Sequence, residues 1–360
     1  MTIRCAVVGA TGIAGQQFLA ALHKHPLFDV VRLAASARSA GKSYRQAITR
    51  PSGQVAWWDA PEALERFGDM EVVEGSSMSL EGVQLVFSAV ESEPARDLES
   101  RYAEHVPVIS TASAFRYEPD VPILIPAING DHAKLISVQR ERRGWKGFVV
   151  PVANCTTTGL AIALAPLHQH FGVDKVIVTS LQATSGAGRS PGVISQDIVD
   201  NVVPYISKEE AKVAKETRKI LGTLQGELIN PADIRVSATC TRVAVLDGHT
   251  EAVTCSLKKP ASIAEVKAAL RAFGKDINPH THPSAPQDWI WVHDDPFRPQ
   301  PRLDRDAQDG MCTSVGRVRE DDVLGDNGVK FVLVSHNTKM GAAKGAILVA
   351  EDLKSRGLIA

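Results

Sequence analysis

The stretch Asn154-Cys155-Thr156-Thr157-Thr158-Gly159 places a thiol where an apolar strand (Phe148, Val149, Val150) gives way to an apolar helix through Leu160, Ala161, Leu164 and Leu167. A cysteine at a helix start faces the positive end of the helix dipole and a set of unpaired backbone N–H groups, and both favour thiolate over thiol. The same N–H groups can receive the oxyanion formed when that thiolate attacks a carbonyl. With a dinucleotide loop in the same chain, these residues point to a cysteine enzyme that oxidises or reduces an acyl group through a thioester.

Such a cysteine needs a base and groups that hold a substrate. Among 11 histidines, His249 differs in following the Asp247-Gly248 turn at the start of a strand. Arg242 precedes it on what the turn predicts to be the partner strand of a hairpin, where a guanidinium can hold a carboxylate through two hydrogen bonds. Taken alone such an arginine is more often a surface charge. Glu209 and Lys212 lie three apart on a predicted helix and so share a face; by spacing alone they are a surface pair.

The loop Gly9-Ala10-Thr11-Gly12-Ile13-Ala14-Gly15 follows a Val-rich strand and opens a helix through Phe18, Leu19 and Leu22. That is the context a dinucleotide site requires, with glycines for tight turning and close approach of backbone N–H groups to a pyrophosphate. An NAD site ends its second strand in an acid that holds the ribose hydroxyl. Here the strand ends Ala34-Ala35-Ser36-Ala37-Arg38-Ser39, followed by Lys42. Hydroxyls and an arginine suit a 2′-phosphate, hence NADP.

These residues must be carried by more than one core, because 360 residues exceed a typical single domain. Short β-rich runs at Val30–Ala35, Leu85–Ala89, Val106–Ser110 and Ile123–Pro126 alternate with helical segments, predicting a parallel sheet with helices on both faces. After Cys155 the texture changes. Strands are expected over 175–183, 235–245, 250–257 and 330–335, a Ser207-capped helix over about 207–221, and an amphipathic helix over 340–354. The flexible loop 185–192 and the proline-rich stretch 278–309 read as irregular.

A net charge of −1 gives no bulk attraction to nucleic acid or an anionic membrane. No stretch approaches the ~20 apolar residues of a membrane span. The first residues enter a strand at once, so no signal peptide is expected. Five scattered cysteines fit neither a disulfide framework nor a zinc knuckle, and no metal site is expected. The expected compartment is the cytoplasm.

The motifs resemble those of the aspartate-semialdehyde dehydrogenases, specifically the archaeal and fungal branch, nearly end to end. They run through Gly9–Gly15, Ser110–Asn129, Asn154–Thr157, Ser185–Gly192, Asp197–Asn201, Glu209–Lys212, Cys240–Val243 and Gly248-His249. They close with Arg298–Asp304 and His336–Ala343. The resemblance implies a Rossmann-type NADP-binding domain over 1–153, completed by a C-terminal helix within 337–360. A catalytic and dimerisation domain with a mixed, largely antiparallel sheet would occupy 154–336. It implies that Cys155 is the acyl-thioester nucleophile, His249 the acid/base, and Gln182 the group that orients the thioacyl intermediate. Arg242 would hold the substrate carboxylate and Glu209 its amino group, with Arg116, Lys212 and Asn154 also on the substrate or phosphate. Gly9, Thr11, Gly12, Ile13, Ala14, Ser36, Arg38, Ser39, Ser88, Gly186 and Asn337 would contact NADP. Two departures stand out: Thr111 where many members have Asn, and Ala127 where many have Glu.

The reaction so implied interconverts L-aspartate 4-semialdehyde and L-4-aspartyl phosphate, with inorganic phosphate as co-substrate and a homodimer or homotetramer as the assembly. Two rivals are a CoA-thioester reductase, such as one acting on malonyl-CoA or succinyl-CoA, and a non-catalytic NADP-binding sensor. The first has no use for an amino-group ligand at Glu209; the second has none for Cys155, His249 and Arg242 together.

Overall fold

The computed structural model describes residues 2–187 and 197–360. The second half of the expected 185–192 loop, from Gly188 to Gly192, lies outside the described residues. The chain divides into two units. The first runs up to Pro122 and adds Ala133–Val152 and Ala346–Ala360; the second comprises Ile123–His132 and Ala153–Gly345.

The first unit is built on β1 (Ile3–Val8), β2 (Phe28–Ala35), β3 (Val72–Glu74), β4 (Leu85–Ser88), β5 (Pro107–Ser110) and β6 (Phe148–Pro151). They form one sheet in the order β3-β2-β1-β4-β5-β6, parallel throughout. This is the doubly wound dinucleotide-binding order, with its switch point between β1 and β4. Val7, Val8, Val86, Phe87, Val108, Ile109 and Val149 are buried, as strands covered on both faces require. Helix α1 (Ile13–Leu22) buries Phe18, Leu19 and Leu22, and the Phe18 ring lies 5.2 Å from that of Phe87. Helices α2 (Ser92–Ala103) and α3 (Leu135–Arg143) complete the unit's longer helices before the chain crosses over.

The apolar run Ile123–Ile125 is not a strand. It leads into a one-turn helix at Pro126–Asn129 and belongs to the second unit. Prolines at 122 and 126 remove ladder donors. Instead, the Asn129 side chain accepts from Ile125 N at 2.9 Å and donates to Ile123 O at 2.8 Å.

The second unit opens with α4 (Cys155–Phe171), whose residues Thr156 to Leu167 are all buried. Under it lies a mixed sheet of β7 (Val173–Gln182), β10 (Arg235–Arg242), β11 (His249–Leu257), β12 (Ile290–Val292), β13 (Thr313–Glu320) and β14 (Gly328–Ser335). A small hairpin of β8 (Thr223–Gln225) and β9 (Leu228–Asn230) stands apart. The large sheet is ordered β10-β7-β11-β14-β13-β12, with β7/β10 and β12/β13 parallel and the other pairs antiparallel. Helices α5 (Glu209–Ile220) and α6 (Ile263–Ala272) pack beside α4, and α7 (Ala343–Ser355) closes the chain. Among the described residues no helix is long and apolar enough to cross a membrane.

Four expectations need correcting here. Asp247-Gly248 closes no hairpin, because β7 lies between β10 and β11. Beyond Arg242 the chain keeps pairing along the end of β7, through Val243 N to Gln182 O at 3.0 Å and Thr184 N to Val245 O at 2.8 Å. Ser207 caps nothing: Lys208 is the N-cap of α5, in the left-handed region at φ 62°, and no side chain caps the helix. The proline-rich 278–309 stretch holds β12 and a one-turn helix at Pro301–Asp304. Finally, α7 starts three residues later than expected and is buried nearly all round, including the carboxylates of Glu351, which pairs with His25 at 2.8 Å, and Asp352, which pairs with Arg356 at 2.7 Å.

Candidate active site

Sheet register assembles the first layer of the site. Arg242 on β10 stands opposite Gln182 on β7, and the β7/β11 register carries His249 to the other side of Gln182. His249 in turn faces Ser335 on β14. Arg242, Gln182 and His249 therefore form one row across three strands, at the parallel ends of β7 and β10. The intervening strand, not a hairpin, is what spaces the guanidinium from the imidazole.

The start of α4 lies over this row. Cys155 Sγ is 3.2 Å from His249 Nε2. Of the five cysteines Cys155 alone is not fully buried. Burial pushes the Cys240 thiol up to about 11 and those of Cys255 and Cys312 to about 12, which leaves them inert at neutral pH.

Asn154 fixes the helix start. Its Oδ1 accepts from Thr156 N at 3.0 Å and Thr157 N at 3.3 Å, and its Nδ2 donates to Glu209 Oε2 at 2.8 Å. Its backbone N donates to Glu216 Oε2 at 2.7 Å. Two carboxylates thus stand at the positive end of α4, where a helix dipole favours them. Glu209 also pairs with Lys212 at 3.0 Å, so the predicted pair is real and partly buried. The helix N–H groups expected to form an oxyanion site are largely spent: Thr156 and Thr157 bond the cap, and Thr158 N bonds Asn154 O at 2.9 Å.

His249 is fully buried. Its Nδ1 accepts from Ala183 N at 3.0 Å. Burial, then the charges of Arg242 and His336, pull its pKa down to about 3. The Arg242 guanidinium, which donates through Nη1 to Ala183 O at 2.7 Å, is also pulled below its ordinary value by burial. Gln182 is buried and donates to Ser180 Oγ at 3.2 Å. Gly186 keeps space open: a Cβ there would lie 3.0 Å from Arg242 Nη1 and 3.2 Å from His249 Cε1. Gly341 packs directly on the cysteine, where an added Cβ would meet Cys155 Cβ at 2.9 Å. Asn337 braces this region, accepting from Gly248 N at 2.9 Å and donating to Ser185 Oγ at 2.8 Å.

The expected cofactor residues of the first unit surround its switch point. Gly9 has φ +78°, and a Cβ on it would strike Ala89 O at 2.5 Å. Gly12 caps α1 with no side-chain hydrogen bond, so no side chain competes for the first-turn N–H groups near Thr11, Ile13 and Ala14. The end of β2 presents exposed Ser36 and Arg38 and buried Ser39, with no acid among them. The Ser88 hydroxyl points inward, donating to Glu99 Oε1 at 2.7 Å, and its backbone carbonyl accepts from Thr111 N at 3.0 Å. Arg116 is buried in this unit and donates to Thr111 O at 2.9 Å.

Sequence reasoning passed over Glu216, the Ala183 N–H and Gly341. Glu216 was within reach: it follows Glu209 by seven residues, two turns along one face of α5. The other two act through backbone, which residue type does not reveal.

A thiol held against a neutral imidazole, in a chain carrying a doubly wound nucleotide-binding sheet, defines a cysteine-dependent dehydrogenase. Family models agree: a semialdehyde dehydrogenase NAD binding domain matches residues 4–136, and a semialdehyde dehydrogenase dimerisation domain matches 164–340. The chain is 44% identical to aspartate-semialdehyde dehydrogenase of Methanothermobacter thermautotrophicus over 97% of its own length and 98% of the relative's. It is 42% identical to that of Candida albicans, over 99% of both chains. The crystal structure of the Candida albicans enzyme with NADP superposes with a TM-score of 0.87 at 39% identity, covering both chains fully. A Vibrio cholerae aspartate semialdehyde dehydrogenase II complexed with ASA gives 0.76 at 26% identity over 99% of each. The chain belongs to the aspartate-semialdehyde dehydrogenase family, in its archaeal and fungal branch.

Proposed function

We propose that this enzyme interconverts L-aspartate 4-semialdehyde and L-4-aspartyl phosphate, using NADP(H) and inorganic phosphate, through an acyl thioester on Cys155. The observation that carries the reading is the 3.2 Å approach of Cys155 Sγ to His249 Nε2, in register with Arg242 and Gln182. A thiolate suits the task because it is both a strong nucleophile and a good leaving group. Arg242 holds the substrate carboxylate and Glu209 its ammonium group, which explains two opposite charges close to one thiol. Arg116 and Lys212 hold the phosphate, Asn154 belongs to the substrate site, and Gln182 orients the acyl group.

NADP fits the first unit on its own residues. The glycine turn, the α1 start without a side-chain cap, and the hydroxyl-and-arginine end of β2 suit a pyrophosphate and a 2′-phosphate. Gly186 and Asn337 complete the proposed cofactor set. When bound there, NADPH would supply hydride; the protein's own residues bind, orient and exclude water, since hydrolysis would waste the thioester.

We read it as a cytoplasmic homodimer or homotetramer assembled through the second unit, where Ile177, Leu181 and Trp291 expose apolar surface. The test of the reaction is NADP+ reduction with L-aspartate 4-semialdehyde. Turnover that requires phosphate, and that Cys155→Ser abolishes with NADP binding intact, is expected. Turnover with malonyl-CoA in place of the aspartyl substrate, or activity of the serine variant within about tenfold of wild type, refutes it.

A further inference from the structure

We infer that α5 is the frame that spaces the nucleophile from the arginine of the carboxylate site, and that Glu216 and Glu210 are the positioning residues through which it does so. Neither touches substrate or cofactor in this reading. The inference rests on the proposed roles of Cys155 and Arg242.

Helix α5 packs against both α4 and β10. Glu209 and Glu216 lie two turns apart along one face of it, and Glu210 is turned about 100° from Glu209. The first face meets the start of α4. Glu216 is fully buried there, and its Oε2 accepts from Asn154 N at 2.7 Å, the length of a charge-assisted bond. That N–H belongs to the N-cap, one residue before Cys155. The Asn154 side chain meanwhile donates to Glu209 Oε2 at 2.8 Å. Backbone and side chain of the cap are thus pinned to one helix at two points.

The other contact is at the sheet edge. Among the described strands β10 pairs only with β7, so every second backbone N–H along it points away from the sheet. Cys240 N, one of these, is taken by Glu210 Oε1 at 3.2 Å. Arg242 N, the next, is taken by Val203 O at 2.8 Å. Cys240 and Arg242 share a face of β10, so the hold at Cys240 fixes the piece of strand that carries the guanidinium.

Two arms of one helix therefore reach two parts of the site, and their losses differ in kind. Without Glu216 the thiol strays, while Arg242 and Glu209 still hold substrate, the latter tied to Lys212 at 3.0 Å. Without Glu210 the guanidinium strays and the thiol stays.

The test is steady-state NADP+ reduction with L-aspartate 4-semialdehyde and phosphate, in variants of the whole chain whose melting shows them folded. Glu216→Ala is expected to lower kcat at least about tenfold, with KM for the semialdehyde within about threefold of wild type. Glu210→Ala should do the reverse, raising KM at least about threefold with kcat within about twofold. Glu216→Gln and Glu210→Gln keep an acceptor oxygen and should recover most of each loss. Carboxylates that serve the fold alone would move kcat and KM together, or neither. Either pattern, or glutamines no better than alanines, overturns the inference. Should an alanine variant not fold, Glu216→Asp or Glu210→Asp, one methylene shorter, is held to the same split. Hydrogen exchange read by mass spectrometry needs no turnover. The peptide over 153–157 should lose protection only when Glu216 is replaced, and that over 239–242 only when Glu210 is. If the wild type fails the assay while exchange follows this pattern, the reaction assignment falls and the frame stands. Exchange unchanged in both variants brings down the frame whatever the assay gives.

Discussion

At the scale of single residues, charge and burial divide the labour. Arg242 is a planar fork at the edge of a buried row, already anchored by one bond to Ala183 O. A lysine there keeps the charge but not the fork. Arg242→Lys is therefore expected to raise KM for the semialdehyde by about tenfold or more, with a smaller effect on kcat; an unchanged KM would remove Arg242 from the carboxylate site. Glu251 presents the opposite case. It is fully buried two residues from His249, and neither carboxyl oxygen has a hydrogen-bond partner. Burial lifts its pKa well above the ordinary 4.5, so the folded protein holds a proton that the unfolded chain releases. The associated stability is full below about pH 4.5 and declines as pH rises toward the folded value. Glu251→Gln keeps the shape without the ionisation. Its melting temperature is expected to exceed that of the wild type by a margin that widens from pH 5 to pH 8. A margin independent of pH would show that the carboxyl is already ionised in the fold.

At the scale of elements, the site depends on how α4 begins and on which strands lie under it. One asparagine closes the helix, meets Glu209 through its amide and receives Glu216 at its backbone. Asn154→Ala removes the cap and leaves Glu209 short of a donor. It should cost about 0.5–2 kcal/mol in denaturant unfolding and lower kcat as Cys155 loses its fixed position. Unfolding free energy and kcat both equal to wild type would contradict the capping role. The sheet contributes just as directly, since a one-residue slip of β7 would turn Gln182 to the opposite face. Further along α4, Gly159 leaves room beneath the helix: a Cβ there would sit 2.8 Å from Ser335 Cβ and 3.4 Å from Glu251 Oε1. Much of this was legible in the sequence. The helix-start cysteine, the strand carrying His249 and the Glu209–Lys212 face followed from spacing. The neighbours of those elements did not. Asp247-Gly248 looks like a hairpin turn locally, and only long-range pairing of β7 between β10 and β11 overrides it. Ile123–Ile125 looks like a strand, and the flanking prolines with Asn129 make it something else.

At the scale of the whole molecule, the two units use their sequences differently. The first repeats an alternation of strand and helix whose apolar runs declare a parallel sheet, so its class was readable from pattern and from the glycine turn, while the short strand at Val72–Glu74 was not. The second gathers its site from α4, β7, β10, β11 and α5, elements spread over about a hundred residues, and nothing local states that they meet. The motif resemblance supplied those roles before the register supplied a reason for them. What joins the parts is a single covalent event at one sulfur. Rapid acid quenching during turnover with L-4-aspartyl phosphate, followed by digestion and mass spectrometry, reads that event. An aspartyl adduct confined to the peptide bearing Cys155, and discharged when phosphate is added, is the predicted result. Turnover with no adduct, or an adduct on Cys5, Cys240, Cys255 or Cys312 instead, would contradict the account.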